Sequence, residues 1–431
     1  MAQRYDTYKD SGVQWLGEIP GHWGAVPLNK VSEIVLGKML QSEIRKATDM
    51  LVPYICAKDV HFDGIDISDL KTMYFSQSEL YLYGVQKGDM LIVEGGAGAG
   101  NCSILKADVK NIGIQNSIMI VRSSTKALND YICYFISNIV KKGYVEYITN
   151  IATIPHFTKE KVSRTIVPLP PLSEQKSIVS YLDDKCGKIE KLLAGKQKQI
   201  ELLAEMKQRI IADAVTRGLN PDVKMKVTNI PWLPEIPEHW EEKRLSSMFT
   251  GEVEINKDFE FKRAFKFNYG QLVPKNEIGD SEEYREVYVK YSKIKTGDIL
   301  INGLNLNYDF ITQRVACAPS DGIITSAYVV CRPRDGVNHR YFTYLFKGMD
   351  NMKLFHGMGS GIRLTLSFKE MKKQIIPLPL LTEQHAIVSY LDDKTSKIDT
   401  LVAKLQQEIE AIKEYKQRLI SDVVTGQIKV C

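Results

Sequence analysis

The sequence predicts an α+β protein built as an internal repeat, in which two mixed α/β domains are each closed by one long α-helix. Three observations predict it. Residues 172–216 align without a gap on residues 381–425 and match at 26 of 45 positions. A short tryptophan and proline segment, residues 15–23, returns at residues 232–240. Between segment and helix, both halves carry strand-rich stretches with turn punctuation at corresponding places.

Each repeated stretch reads as one long helix. Pro168, Pro170 and Pro171, with Pro377 and Pro379 in the second copy, hold the preceding chain extended. Ser173 or Thr382 stands where an N-cap is expected, and Glu174 or Glu383 falls in the first turn, where a carboxylate suits the helix dipole. Apolar residues then recur in a 3-4 rhythm: Leu182, Cys186, Ile189, Leu193, Ile200, Leu203 and Ile210, and Leu391, Ile398, Val402, Leu405, Ile409, Ile412, Leu419 and Val423. A sustained average of 3.5 residues marks a coiled-coil seam, and a helix of this length spans roughly 65–70 Å at 1.5 Å per residue. Lys196 and Lys207 fall on the seam, where a lysine snorkels or sets register. Asp183-Asp184 and Asp392-Asp393 point to different sides of the helix and read as solvated surface, with subunit contact as the sharper alternative.

All four tryptophans lie in the short segments Trp15-Leu16-Gly17-Glu18-Ile19-Pro20-Gly21-His22-Trp23 and Trp232-Leu233-Pro234-Glu235-Ile236-Pro237-Glu238-His239-Trp240. Rigid and apolar, they are expected to anchor each domain against its helix. Within the domains, Lys87-Gly88-Asp89-Met90-Leu91-Ile92 matches Thr296-Gly297-Asp298-Ile299-Leu300-Ile301 as a turn feeding a strand. Residues 116–121 and 325–330 form a second matching strand, and aromatic amphipathic helices follow at 131–140 and 341–346. The expected divisions are a first domain over 1–167, a helix over 168–217, a linker with the second tryptophan segment over 218–240, a second domain over 241–376, and the second helix with its tail over 377–431.

Composition narrows the function classes. With 44% hydrophobic and 25% charged residues the chain reads as soluble and globular; no run of 18 apolar residues exists, and the polar N-terminus has no apolar signal stretch, so a cytoplasmic setting is expected. Seven cysteines, no two closer than 14 residues, fit neither common zinc spacings nor a disulfide framework, and no metal site is expected. A net charge of +5 is mild and has meaning only where it is concentrated.

No catalytic constellation stands out. Glu94-Gly95-Gly96-Ala97-Gly98-Ala99-Gly100-Asn101 follows a strand but lacks the Gly-Lys-Ser/Thr of a phosphate-binding loop. It reads either as a tight strand-to-strand turn or as a loop approaching a nucleic-acid backbone. Basic and polar side chains do gather in the variable domains. In the first these are Lys38, Arg45, Lys46, Lys58, Gly98, Asn101, Gln115, Asn116, Thr153, His156 and Lys159. In the second they are Lys257, Arg263, Lys266, Asn268, Tyr269, Asn302, Asn305, Asn307, Tyr308, Arg314, Ser360, Arg363 and Thr365. Arg, Lys, Asn and Gln read base edges, and aromatic residues and Thr pack on thymine methyls.

Pro-Leu-Pro-x-x-Glu-Gln helices used twice, each after a variable domain opened by Glu-Ile-Pro-x-His-Trp and containing Gly-Asp-x-Leu, resemble the DNA-specificity subunit of type I restriction-modification systems. The resemblance covers essentially the whole chain. It implies two target-recognition domains that each read half of a split double-stranded DNA site, held apart by two helices packed as an antiparallel coiled coil with pseudo-two-fold symmetry. It also implies no activity of the chain alone and no cofactor bound by it. S-adenosylmethionine, ATP and Mg²⁺ would belong to two methyltransferase subunits and to restriction/translocase subunits. Residues expected to form the docking surface or spacer helix are Glu174, Gln175, Tyr181, Leu182, Asp183 and Ile189, and Glu383, Gln384, Tyr390, Leu391, Asp392 and Ile398. The competing class is a non-catalytic coiled-coil scaffold whose globular domains bind protein; a self-contained methyltransferase or nuclease lacks its motifs. Half-site bases and spacer length are not written in the sequence.

Overall fold

A computed structural model describes residues 3–149, 155–275, 279, 281–307, 313–361 and 364–430. The chain forms two compact units, Met1–Lys196 with Gln407–Cys431 and Gln197–Gln406. Each unit therefore takes a variable domain, one end of the first long helix (Leu172–Arg217) and one end of the second (Leu381–Val424). The linear division expected from sequence, with each helix a separate segment, gives way to units that share both helices.

In the first unit a four-stranded antiparallel sheet runs in the order Cys102–Ile104, Met90–Val93, Ile118–Ser123, Ser32–Leu36. In the second the order is Val315–Cys317, Ile299–Ile301, Val329–Pro333, Phe249–Thr250, the same arrangement. The central strand is buried on both faces because alternate residues serve different cores. Met90 and Ile92 meet the aromatic helix Asn129–Lys141 and the long helices, while Leu91 and Val93 face a second cluster with Ile55 and Ile114. Gly88 (φ 91°) and Gly297 (φ 87°) make the left-handed turn before that strand, a conformation that costs glycine little. The aspartate after each is almost fully buried, and an arginine from the neighbouring strand grips both its oxygens. Arg122 donates to Asp89 at 2.9 and 2.8 Å; Arg332 donates to Asp298 at 3.0 and 2.8 Å. The shared Gly-Asp is thus a structural brace.

Each long helix starts one residue ahead of Ser173 and Thr382, which therefore lie in the first turn instead of capping it. The first backbone acceptors are the carbonyls of Pro171 and Leu380, which take the amides of Gln175 and Gln384 at 3.0 and 2.9 Å. Within the first unit the helices run antiparallel, since Lys196 pairs with Glu408 at 2.5 Å and Lys416 pairs with Glu190. Within the second, Lys207 pairs with Asp399 at 2.6 Å. The seam lysines set register.

The tryptophan segments dock on the helix starts. Trp23 is fully buried and donates its indole N–H to Glu174 at 2.7 Å, and His22 meets the other oxygen at 2.7 Å. Trp240 and His239 hold Glu383 likewise, both at its Oε2, at 3.0 and 2.8 Å. Trp23 joins Tyr131, Phe135, Ile178, Leu182 and Val423 in one core; Trp240 joins Tyr341, Phe346, Val215, Ile387 and Leu391 in the other.

Candidate nucleic-acid interface

Backbone hydrogen bonds bring separate candidate segments together in each unit. In the first, the Phe157 amide donates to Glu94 O at 2.7 Å, Glu94 N to Ser117 O at 2.9 Å, and Asn116 N to Lys38 O at 2.8 Å. Residues 94–101, 115–117, 155–159 and the loop after residue 37 therefore share one edge. In the second, Leu366 N donates to Gly303 O at 2.9 Å, and both residues stand 209 positions beyond Phe157 and Glu94 (366 − 157 and 303 − 94). Ser360 and Thr365 exchange backbone bonds at 3.1 and 3.0 Å, and through Leu366 this pair adjoins the loop 302–307.

On this common frame the side chains differ. Arg45 and Lys46 are exposed, on a loop held by Asp49, whose carboxylate accepts both their amides at 3.0 Å and the Gln41 side chain at 3.1 Å. Lys58 is exposed beside Asp59 at 3.5 Å, and that carboxylate raises its pKa. His156 and Lys159 are exposed, and Gln115 and Asn116 are half-buried. In the second unit Lys257, Arg263, Lys266 and Asn268 are exposed, with Arg263 donating to Ser320 at 3.1 Å. Tyr269 (φ 44°) and Gly270 (φ 72°) form the two-residue turn of the hairpin Phe265–Asn268/Gln271–Pro274, where both positive angles match the twist of the flanking strands. The Tyr269 ring projects outward. Asn305 is exposed, Asn302 and Asn307 half-buried. Thr153, Tyr308 and Arg363 lie outside the described residues.

Two candidates are turned into the protein. Lys38 is buried, donating to Glu79 at 2.7 Å and to Tyr74 O at 2.8 Å, so its charge is neutralised internally. Arg314 is fully buried and donates to the carbonyls of Asn302 and Leu304. Asn101 is half-buried with its amide towards Val60 O at 3.4 Å. The glycine-rich stretch, Gly98 included, is a turn closed by Ala99 N to Gly96 O and Asn101 N to Gly98 O. Gly95 is small because the His156 ring lies against it: a Cβ there would sit 2.4 Å from Nδ1.

The helix candidates are largely occupied within the chain. Besides Glu174 and Glu383, Gln175 is buried, donating to Pro170 O and Lys126 O and accepting from Leu128 N; Gln384 donates to Pro379 O. Leu182 and Leu391 are core residues, and Ile189 and Ile398 lie on the seam. Of the paired aspartates Asp183, Asp184 and Asp393 are exposed and Asp392 is half-buried; Asp184 and Asp393 pair with Lys188 and Lys397 four residues on. Asp183 accepts from Tyr134 at 2.7 Å, and Asp392 accepts from Tyr344 at 2.9 Å and Arg340 at 2.6 Å, each carboxylate fastening its domain's aromatic helix. Tyr181 and Tyr390 remain partly exposed, each beneath a lysine. Sequence reasoning missed Leu192, Met206, Leu401 and Tyr415, which are 50%, 53%, 45% and 59% exposed. Their signal was present: Leu192 and Leu401, and Met206 and Tyr415, are repeat equivalents that sit one place off the seam. No group of three or more His, Cys, Asp or Glu that could hold a metal occurs among the described residues.

Comparison with known proteins agrees with this geometry. The family described as "Type I restriction modification DNA specificity domain" matches residues 20–202 and 237–411. The MjaVIII specificity subunit of Methanocaldococcus jannaschii is 24% identical, covering 96% of this chain and 94% of its own. The EcoKI specificity subunit of Escherichia coli is 20% identical, covering 96% and 90%. A solved structure described as the "structural basis underlying complex assembly and conformational transition of the type I R-M system" superposes with a TM-score of 0.72 at 16% identity over 94% of this chain and 98% of that one. The HsdS subunit of Thermoanaerobacter tengcongensis superposes with 0.52 at 18% identity over 95% and 98%. The family match runs through both repeats, and the chain belongs to the type I restriction-modification DNA-specificity family.

Proposed function

We propose that the two variable domains each read one half of a bipartite double-stranded DNA site, and that the chain thereby directs adenine methylation or restriction by catalytic partner subunits. The observation that carries this reading is the duplicated frame with unlike tips. The same backbone bond and the same Asp–Arg brace recur, while the exposed loops of the two units differ, carrying Arg45, Lys46 and His156 in one and Tyr269 and Asn305 in the other. Shared scaffold with divergent polar tips is what two different base sequences require.

The repeat-equivalent exposed apolar positions, Leu192 with Tyr415 and Leu401 with Met206, support docking of two copies of one partner, the methyltransferase subunit, on the long helices. The helices would also set the separation of the half-sites. S-adenosylmethionine, ATP and Mg²⁺ would be held by the methyltransferase and restriction/translocase subunits, and the complex would act in the cytoplasm. No described helix is long and apolar enough to cross a membrane.

Co-expression with the methyltransferase partner, followed by genome-wide mapping of methylated adenines, tests the proposal. The expected result is one split motif whose two halves change independently when the domains are exchanged. A continuous motif, or methylation indifferent to this chain, would overturn it.

A further inference from the structure

The Asn302–Asn307 loop of the second unit has an internal support with no counterpart among the described residues of the first. Arg314 Nη1 donates to Asn302 O at 2.9 Å and to Leu304 O at 2.8 Å, and Arg314 O accepts from Asn302 N at 2.8 Å. The arginine's own amide donates to Asp350 Oδ2 at 2.7 Å. Asp350 belongs to the aromatic helix His339–Asn351, whose Tyr341, Phe342, Leu345 and Phe346 are set in the core. A line of direct bonds thus runs from a packed helix through Asp350 and Arg314 to the loop backbone. The same loop holds Asn305 exposed at φ 52° and is joined through Gly303 O to the amide of Leu366.

The repeat equivalent of Arg314 is Asn101, since Val93 N donates to Asn101 O just as Asn302 N donates to Arg314 O. There the loop is closed by its own glycine-rich turn and needs no brace. A fully buried guanidinium is costly to desolvate, and here its hydrogen bonds go to the loop backbone, which points to a geometric task.

We infer that Arg314, anchored by Asp350, is a positioning residue for base recognition. It fixes the shape of the asparagine loop and so the base preference of the second half-site, without touching DNA. This rests on the DNA-reading function proposed above. A buried arginine that neutralises no phosphate leaves the salt dependence of binding unchanged, whereas loss of a phosphate contact reduces the slope of log K against log salt by about 0.9.

The test uses the full chain assembled with its methyltransferase partner, comparing wild type, Arg314→Lys, Arg314→Met and Asn305→Ala. Duplex affinity is measured over a salt series, and methylation of a library varied at every target position is sequenced. Wild type must first bind with a steep salt slope; failure there refutes the DNA-reading function itself. Given that, both Arg314 variants are expected to lose about tenfold or more in specific affinity, the scale of a mismatched base pair. They should tolerate more bases only in the second half-site and keep the wild-type slope. Asn305→Ala, at an exposed position, should relax an overlapping subset, and it carries the test if Arg314→Met does not fold. A shallower slope for Arg314→Met, with the wild-type slope kept by Arg314→Lys, would assign a direct phosphate contact and overturn the inference. Unchanged base tolerance in folded Arg314 variants, or in Asn305→Ala where Arg314→Met does not fold, would likewise overturn the inference.

Discussion

Glu174 joins the tryptophan segment to the first long helix, and replacing it measures that joint. Its carboxylate accepts from Trp23 Nε1 and His22 at 2.7 Å each, and its side chain is only 18% exposed. A hydrogen bond to a charged acceptor contributes about 1.5–3 kcal/mol, and truncation also leaves the buried indole N–H without a partner. A first-turn carboxylate adds about 0.3–1 kcal/mol through the helix dipole. Glu174→Ala is therefore expected to destabilise the first unit by about 2–4 kcal/mol. Glu174→Gln keeps an acceptor but loses the charge and should cost about 1 kcal/mol. For a unit of this size each kcal/mol lowers the melting temperature by roughly 2–4 °C, so calorimetry should show Glu174→Ala melting about 5–15 °C early. Glu383→Ala should do the same to the second unit through Trp240 and His239. A Glu174→Ala protein within about 0.5 kcal/mol of wild type would refute the joint.

Asp89→Asn leaves the Arg122 guanidinium without its carboxylate and should cost about 3 kcal/mol in urea unfolding. Leu192→Glu is expected to lower the number of bound methyltransferase subunits from two to one, and Leu192→Glu with Leu401→Glu to zero, as read by native mass spectrometry. A seven-residue insertion near Gly195 must be matched by one near Lys404, because ion pairs fix helix register separately in each unit. The matched pair keeps the seam in phase and should lengthen the methylated spacer while leaving both half-sites unaltered. Burial raises the Asp350 carboxyl pKa, so the folded state holds its proton more tightly than the unfolded chain. Stability from this group is fully present below the ordinary aspartate range and declines as pH rises towards the raised value. Asp350→Asn removes that dependence, so its melting temperature should gain on wild type as pH increases from 4 to 8.

Residues 172–216 and 381–425 announced both long helices because a 3.5-residue rhythm is local and survives any tertiary context. The strands after Gly88 and Gly297 were legible for the same reason: a glycine turn and an apolar run carry their geometry with them. The entry segments were legible as anchors, since Trp with Pro has few other uses. The tertiary structure alone decided which charges face outward. Lys38 and Arg45 look alike in sequence, yet Glu79 and Tyr74 O take the first inward while Asp49 ties down only the backbone of the second. Arg314 read as a DNA contact and proved to be a buried brace. Glu174 and Gln175 read as docking or spacer-helix residues; they stand at the start of the long helix, and partners within the chain occupy them. A side chain's charge is a property of its residue type, but its desolvation and partner depend on segments far along the chain. For that reason periodicity determined the scaffold, and only long-range pairing determined the reading surface.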